Sequence, residues 1–148
     1  MSLTLRPITL RDVPFVNHVR NESRKWLHDS SRYTLVEARE WWDRRTAGYG
    51  YMLEASGMPI GYFRVSDYVV AARRVMIGLD IHPDFRGKGI ARPALRLLMD
   101  ALVSSLGIKV FCLRVLRMNE RAFHIYKTLG FAVKKTTETD YYMELPRE

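Results

Sequence analysis

Arg86-Gly87-Lys88-Gly89-Ile90-Ala91 has the make-up of an anion site. It follows an alternating stretch, Val75–Ile81, and the turn residues His82-Pro83-Asp84, and it precedes an apolar repeat of helical period. Two glycines at a strand-to-helix turn allow close backbone approach, and the first N–H groups of a helix lack partners within it. Arg86, Lys88, Arg92 and Arg96 place four bases between residues 86 and 96, against no acid. The combination reads as a pyrophosphate cradle; the plainer alternative is a glycine-containing turn. Further on, Asn119 and Tyr126 stand seven residues apart, on one helix face two turns apart. Asn119 is also placed to cap that helix, and Tyr126 also fits its apolar stripe with Ala122, Ile125 and Leu129.

These segments resemble the GNAT N-acetyltransferase superfamily. Arg86, Gly89 and Ala91 fit the Arg/Gln-x-x-Gly-x-Gly/Ala pattern of its motif A. Asn119-Glu120-Arg121-Ala122, Tyr126-Lys127 and Leu129-Gly130-Phe131 are similar to its motif B. The resemblance covers residues 75–131 well, Leu3–Asp12 loosely and the remainder by architecture. It implies acetyl-CoA as acyl donor, in a cleft where the fourth and fifth strands part. The pyrophosphate would lie on the main chain of Gly87, Lys88, Gly89, Ile90 and Ala91, with Arg86 adding charge, and the pantetheine arm near Ile81. It also implies that Asn119 contacts that arm and that Tyr126 lies near the thioester sulfur. Amine attack on a thioester expels a thiolate, and a phenol within reach donates a proton to it. Capping alone, or both roles, remain open for Asn119, as does simple packing for Tyr126.

An ammonium must lose a proton before it attacks, so a base or water chain is required. Asp80, opposite the apolar side of its strand, is the leading carboxylate; Glu22, His28 and His82 follow. The family often carries a Glu on or near this strand, and Met76 occupies one such place. A structural hydrogen-bond acceptor is the competing role for Asp80. The acceptor side falls to the first two helices and their loop, where Arg20, Asn21, Trp26, Tyr33, Glu37, Trp41 and Trp42 gather. This grouping resembles GNATs that acetylate amino sugars on nucleotide carriers, with aromatic faces stacking and Arg20 holding a phosphate. The plainer reading is that one of the adjacent tryptophans packs its helix onto the sheet. The four histidines are scattered and Cys112 is the lone cysteine, so no metal is expected.

These residues need a scaffold of alternating elements. Leu3–Ile8 reads as a strand whose Pro7 favours an edge, and a helix follows from Arg11 or Asp12. Thr34 and Glu37 form a capping box for a second helix over 35–47, with Gly48 as its stop. Strands fit Tyr51–Ala55, Ile60–Tyr68 and Val75–Ile81. In the third helix, ending before Gly107, Pro93 costs ~3 kcal/mol unless it lies in the first turn, which puts the start near Gly89. Ile108–Val115 is a fifth strand, Asn119–Leu129 a fourth helix, and 131–137 and 139–145 close the chain as strands. The expectation is one α/β domain over residues 1–148. Its mixed, mostly antiparallel sheet of six or seven strands has a splayed central pair and four helices on both faces.

Composition sets the remaining bounds. The 148 residues are 47% hydrophobic and 27% charged, as in a globular domain, and no apolar run is long enough for a membrane helix. Cys112, between Phe111 and Leu113, reads as a core thiol, and the absence of any disulfide points to a cytoplasmic home. A net charge of +8 and a pI near 9.9 call for an acidic partner. The bases are nevertheless dispersed, which argues against nucleic acid. An acetyl-CoA-dependent N-acetyltransferase, monomer or homodimer, acting in a ternary complex on a small-molecule or peptide amine is the leading reading. Its alternatives are a protein N-terminal acetyltransferase of ribosomal-protein type, a basic nucleic-acid-binding module and a non-catalytic acyl-CoA-binding module.

Overall fold

A computed structural model describes residues 2–44 and 50–147. Its strands are β1 (Leu3–Pro7), β2 (Gly50–Ala55), β3 (Met58–Val69), β4 (Arg74–Ile81), β5 (Val110–Leu116), β6 (Ala132–Thr136) and β7 (Asp140–Pro146). Its α-helices are α1 (Val13–Ser23), α2 (Leu35–Arg44), α3 (Ala91–Leu106) and α4 (Glu120–Thr128). The strands form one seven-stranded sheet in the order β1-β2-β3-β4-β5-β7-β6. Pro7 does lie on an edge strand, where its missing N–H costs no ladder bond. Pairing is antiparallel at β1–β2, β2–β3, β5–β7 and β6–β7, but parallel at β4–β5. That parallel ladder runs only from Arg74↔Val110 to Met76↔Cys112, although β4 continues to Ile81 and β5 to Leu116. The mixed sheet and its short parallel pairing agree with the sequence expectation.

The chain contacts divide into two compact units, and β3 and β4 each contribute to both. The first comprises the N-terminal part through Arg64 together with Leu79–Ile90. Val19 of α1, Met52 and Tyr62 are its buried centre, with Ile8, Phe15 and Val16 packed against them. Arg6 donates to both carboxylate oxygens of Asp12 at 2.7 Å and to Glu54 at 3.2 Å, tying β1 to the entry of α1 and to β2. Burial works to raise the Asp12 carboxyl, but hydrogen bonds from Arg6 and Thr9 outweigh it and hold the group below its ordinary range. The box at α2 is present: Thr34 N–H donates to Glu37 Oε1 at 3.0 Å and Glu37 N–H to Thr34 Oγ1 at 3.2 Å. Described α2 ends at Arg44; the expected continuation to 47 and the Gly48 stop lie outside the described residues.

The second unit comprises Val65–Gly78 and the chain from Ala91 onward. Ala94, Leu95, Leu98, Met99 and Leu102 form the buried stripe of α3. Phe111, Leu113 and Val115 of β5, Phe131 and Met143 are buried in the same unit. The helix begins at Ala91, two residues later than expected, so Pro93 sits within the first turn. There its missing N–H is one that no helix could pair, and the proline is tolerated. Cys112 is buried, and burial pushes its thiol up, consistent with a core residue rather than a nucleophile.

Candidate active site

The cradle leaves β4 through a short 3-10 turn, Pro83–Phe85, capped by His82, whose Nδ1 accepts from the Asp84 N–H at 3.1 Å. His82 N–H also donates to the Ile60 carbonyl at 2.8 Å, which fixes the exit of β4 against β3. Gly87 and Gly89 have φ of 73° and 74°, the left-handed region in which a side chain is strained. A Cβ built on Gly89 meets no atom within 4 Å, so the space over this turn is open to a ligand lying on the backbone. Ile90 is buried and anchors the loop just before α3 begins. Positive-φ glycines, open space and a helix start suit a pyrophosphate, so the residues present fit coenzyme A.

The four bases divide their work. Arg86 donates from Nε to the Ile81 carbonyl at 2.9 Å and from Nη2 to Ser23 Oγ at 2.6 Å. It therefore braces the loop against the end of β4 and the last residue of α1. Arg92 donates to Thr128 Oγ1 at 2.7 Å. Lys88 lies 6.0 Å from the Phe85 ring centre and Arg96 is exposed, both free to contribute field at the surface.

Asp80, near the end of β4, is 7% exposed. Its Oδ1 stands 3.7 Å from Arg64 Nη2, while Oδ2 bonds to no other group among the described residues. Tyr62, two residues before Arg64 on β3, presents its hydroxyl to the same carboxylate. Gly61 makes this closeness possible, because a Cβ there would stand 2.6 Å from the Asp80 carbonyl oxygen. Of the weaker base candidates, His82 lies 5.4 Å from the His18 ring and stacks on Phe15 at 6.1 Å, whereas Glu22 and His28 are exposed.

Between α1 and α2, where the sequence places the acceptor, Asn21 is buried and clasps Tyr33: its Nδ2 donates to the Tyr33 carbonyl at 2.8 Å and its Oδ1 accepts the Tyr33 N–H at 2.9 Å. Asn17 Nδ2 adds a second bond to that carbonyl at 3.1 Å. Arg20 donates to the carbonyls of Ser31 and Asp29, pairs with the Asp29 carboxylate at 3.4 Å and lies 4.2 Å over the Tyr33 ring. A hydrogen bond from Tyr33, with others from Ser31, draws the Asp29 carboxyl down to about 2. Arg20 and Asn21 thus hold the loop between α1 and α2. Trp26 is half-buried beneath Lys25 at 4.6 Å; Trp42 is half-buried and Trp41 is 46% exposed.

In the second unit, Asn119 caps α4 as expected, its Oδ1 accepting the Ala122 N–H at 3.2 Å. Its amide nitrogen keeps its own donors for other contacts. Tyr126 is half-buried on α4, edge-on to Phe131 with ring centres 6.0 Å apart. Ser23, Tyr62 and Arg64 are the site neighbours that sequence reading missed. Tyr62 and Arg64 share a face of β3 by the two-residue period, but nothing local says which strand they meet. Among the described residues no group of three or more His, Cys, Asp or Glu side chains is placed to hold a metal ion.

Known proteins place this geometry. The family model described as "Acetyltransferase (GNAT) domain" matches residues 2–132. The chain is 27% identical to the spermidine N(1)-acetyltransferase of Escherichia coli K12, over 96% of this chain and 79% of that one. It is 33% identical to a mycothiol acetyltransferase of Propionibacterium freudenreichii, over 67% of this chain and 31% of the other. A Vibrio cholerae spermidine N-acetyltransferase solved with CoA and spermine shares the fold at a TM-score of 0.84 and 21% identity, covering 97% of this chain and 95% of its own. The match spans the loop at the end of β4 and helix α4, and the chain belongs to the GNAT acetyltransferase family.

Proposed function

We propose that this acetyltransferase moves an acetyl group from acetyl-CoA to a primary amine of a small aliphatic polyamine, by direct transfer in a ternary complex. The observation that carries the reading is the positive-φ turn at Gly87 and Gly89, open over Gly89 and leading into α3. The bound donor supplies an activated thioester. The amides from Gly87 to Ala91 hold its pyrophosphate, Ile81 lines its arm with main chain, and Asn119 adds an amide donor. Asp80 takes the proton that the acceptor ammonium must lose, and Tyr126 gives one to the departing sulfur.

The relatives named for spermidine support the polyamine, as does a buried carboxylate in the unit that carries the cradle. The net charge of +8 opposes a polycation only at long range. At physiological salt the screening length is about 8 Å, and the exposed Glu22, Glu37, Glu40 and Asp43 of α1 and α2 then count more. The amino-sugar acceptor expected from Arg20, Asn21, Trp26 and Trp41 gains no such support, since neither relative is named for it and both Arg20 and Asn21 engage the chain's own loop.

An acetyl-transfer screen tests this, reading thiol release and the mass of the acetylated product over spermidine, spermine, amino-sugar nucleotides and peptides. Acetylated spermidine or spermine, with intersecting initial-velocity lines, is the expected result. Transfer confined to peptides or sugars would overturn the polyamine, and parallel lines the ternary complex.

A further inference from the structure

A carboxylate oxygen that is both buried and unpaired is costly, and such atoms concentrate where a ligand or reaction supplies the missing partner. Asp80 Oδ2 is such an atom among the described residues. Arg64 Nη2 stands 3.7 Å from Oδ1, and the Tyr62 hydroxyl faces the carboxylate, both from β3. Burial, followed by the Asp80 charge, pushes the Tyr62 hydroxyl well above its ordinary value, so it remains protonated and acts as a donor. Arg20 of α1 is the other cation whose field reaches Tyr62. Gly61 seats the β3 backbone closely on that of β4 at Asp80, whose carbonyl oxygen would stand 2.6 Å from a Cβ there.

We propose that Arg64 and Tyr62 are positioning residues for Asp80: they hold the carboxylate oriented, and leave Oδ2 as the oxygen that receives the acceptor's proton, directly or through a water. This rests on the acetyl-transfer reading above and deepens it. One O–H bond forms at Oδ2 as one N–H bond of the ammonium breaks, and the lone pair left on nitrogen attacks the thioester carbon. Arg64 is half-exposed, so its contribution is screened and lies in orientation and moderate charge rather than in a tight ion pair.

The test is steady-state kinetics of the full chain with spermidine as the probe amine, with Asp80→Asn as the reference for loss of the carboxylate. Arg64→Met and Tyr62→Phe should each lower kcat by about tenfold with the spermidine KM nearly unchanged, because a misdirected proton acceptor is felt in the transition state. Arg64→Lys should restore the wild-type kcat, and coenzyme A affinity should be equal in all of them. Wild-type kcat in both Arg64→Met and Tyr62→Phe would overturn the positioning role while acetyl transfer stands. If the wild-type chain transfers no acetyl group to any amine of the screen, the proposed function falls and this inference with it.

Discussion

The proposed proton donor, Tyr126, can be tested by removing one hydroxyl. Its ring packs edge-on against Phe131, so Tyr126→Phe keeps the packing and deletes only the proton donor. If that proton goes to the departing thiolate, turnover should fall by ~10²-fold with the acceptor KM nearly constant, because the interaction belongs to the transition state. The deficit should shrink as pH rises and a free thiolate becomes an adequate leaving group. Wild-type turnover in this variant would make Tyr126 a packing residue. The Asn119 cap and the positive-φ glycine turn before α3 were legible in the sequence because each belongs to a local pattern: a cap at a helix start or a turn between strand and helix. The sequence was silent on Tyr62, Arg64 and Ser23, whose meaning comes from partners 18, 16 and 63 residues away on other elements. Arg86 shows the limit within a motif: its charge was legible, but its use as a brace to Ile81 and Ser23 was not.

Among the elements, α1 does more than present side chains. Its buried Asn21 and the neighbouring Arg20 fix the α1–α2 loop through Tyr33, Ser31 and Asp29, which would give the proposed acceptor side a formed wall. Loss of the clasp should therefore appear as acceptor affinity. Asn21→Ala should raise the acceptor KM by roughly 10-fold, the scale of one or two lost hydrogen bonds, with coenzyme A affinity unchanged. Steady-state kinetics beside calorimetry checks this; a loss confined to coenzyme A would place the loop elsewhere in the function. The elements themselves were well marked in the sequence, since the capping box at α2, the cap at Asn119 and the glycine after α3 are local chemistry. Boundaries moved by a residue or two where tertiary fit decides, as at Ala91, where Pro93 dictates how late the helix begins.

At the scale of the whole molecule, stability should respond to acid through Asp12. Its carboxyl titrates lower in the folded chain than in the unfolded one, so its contribution is complete above the unfolded value, near pH 4, and is lost as pH falls through the folded value. Asp12→Asn should cost about 2 kcal/mol near neutral pH, and the gap to wild type should close on acidification. Denaturant unfolding across that range measures it, and a gap independent of pH would contradict the ionic account. The central claim is that residues 86–91 bind coenzyme A through their backbone. Calorimetric titration of coenzyme A into wild type and Gly89→Val tests it most directly, with circular dichroism confirming that the variant is folded. The left-handed φ at Gly89 and the open space above it predict that the variant loses most of its affinity. Equal affinity in a folded Gly89→Val chain would contradict the claim.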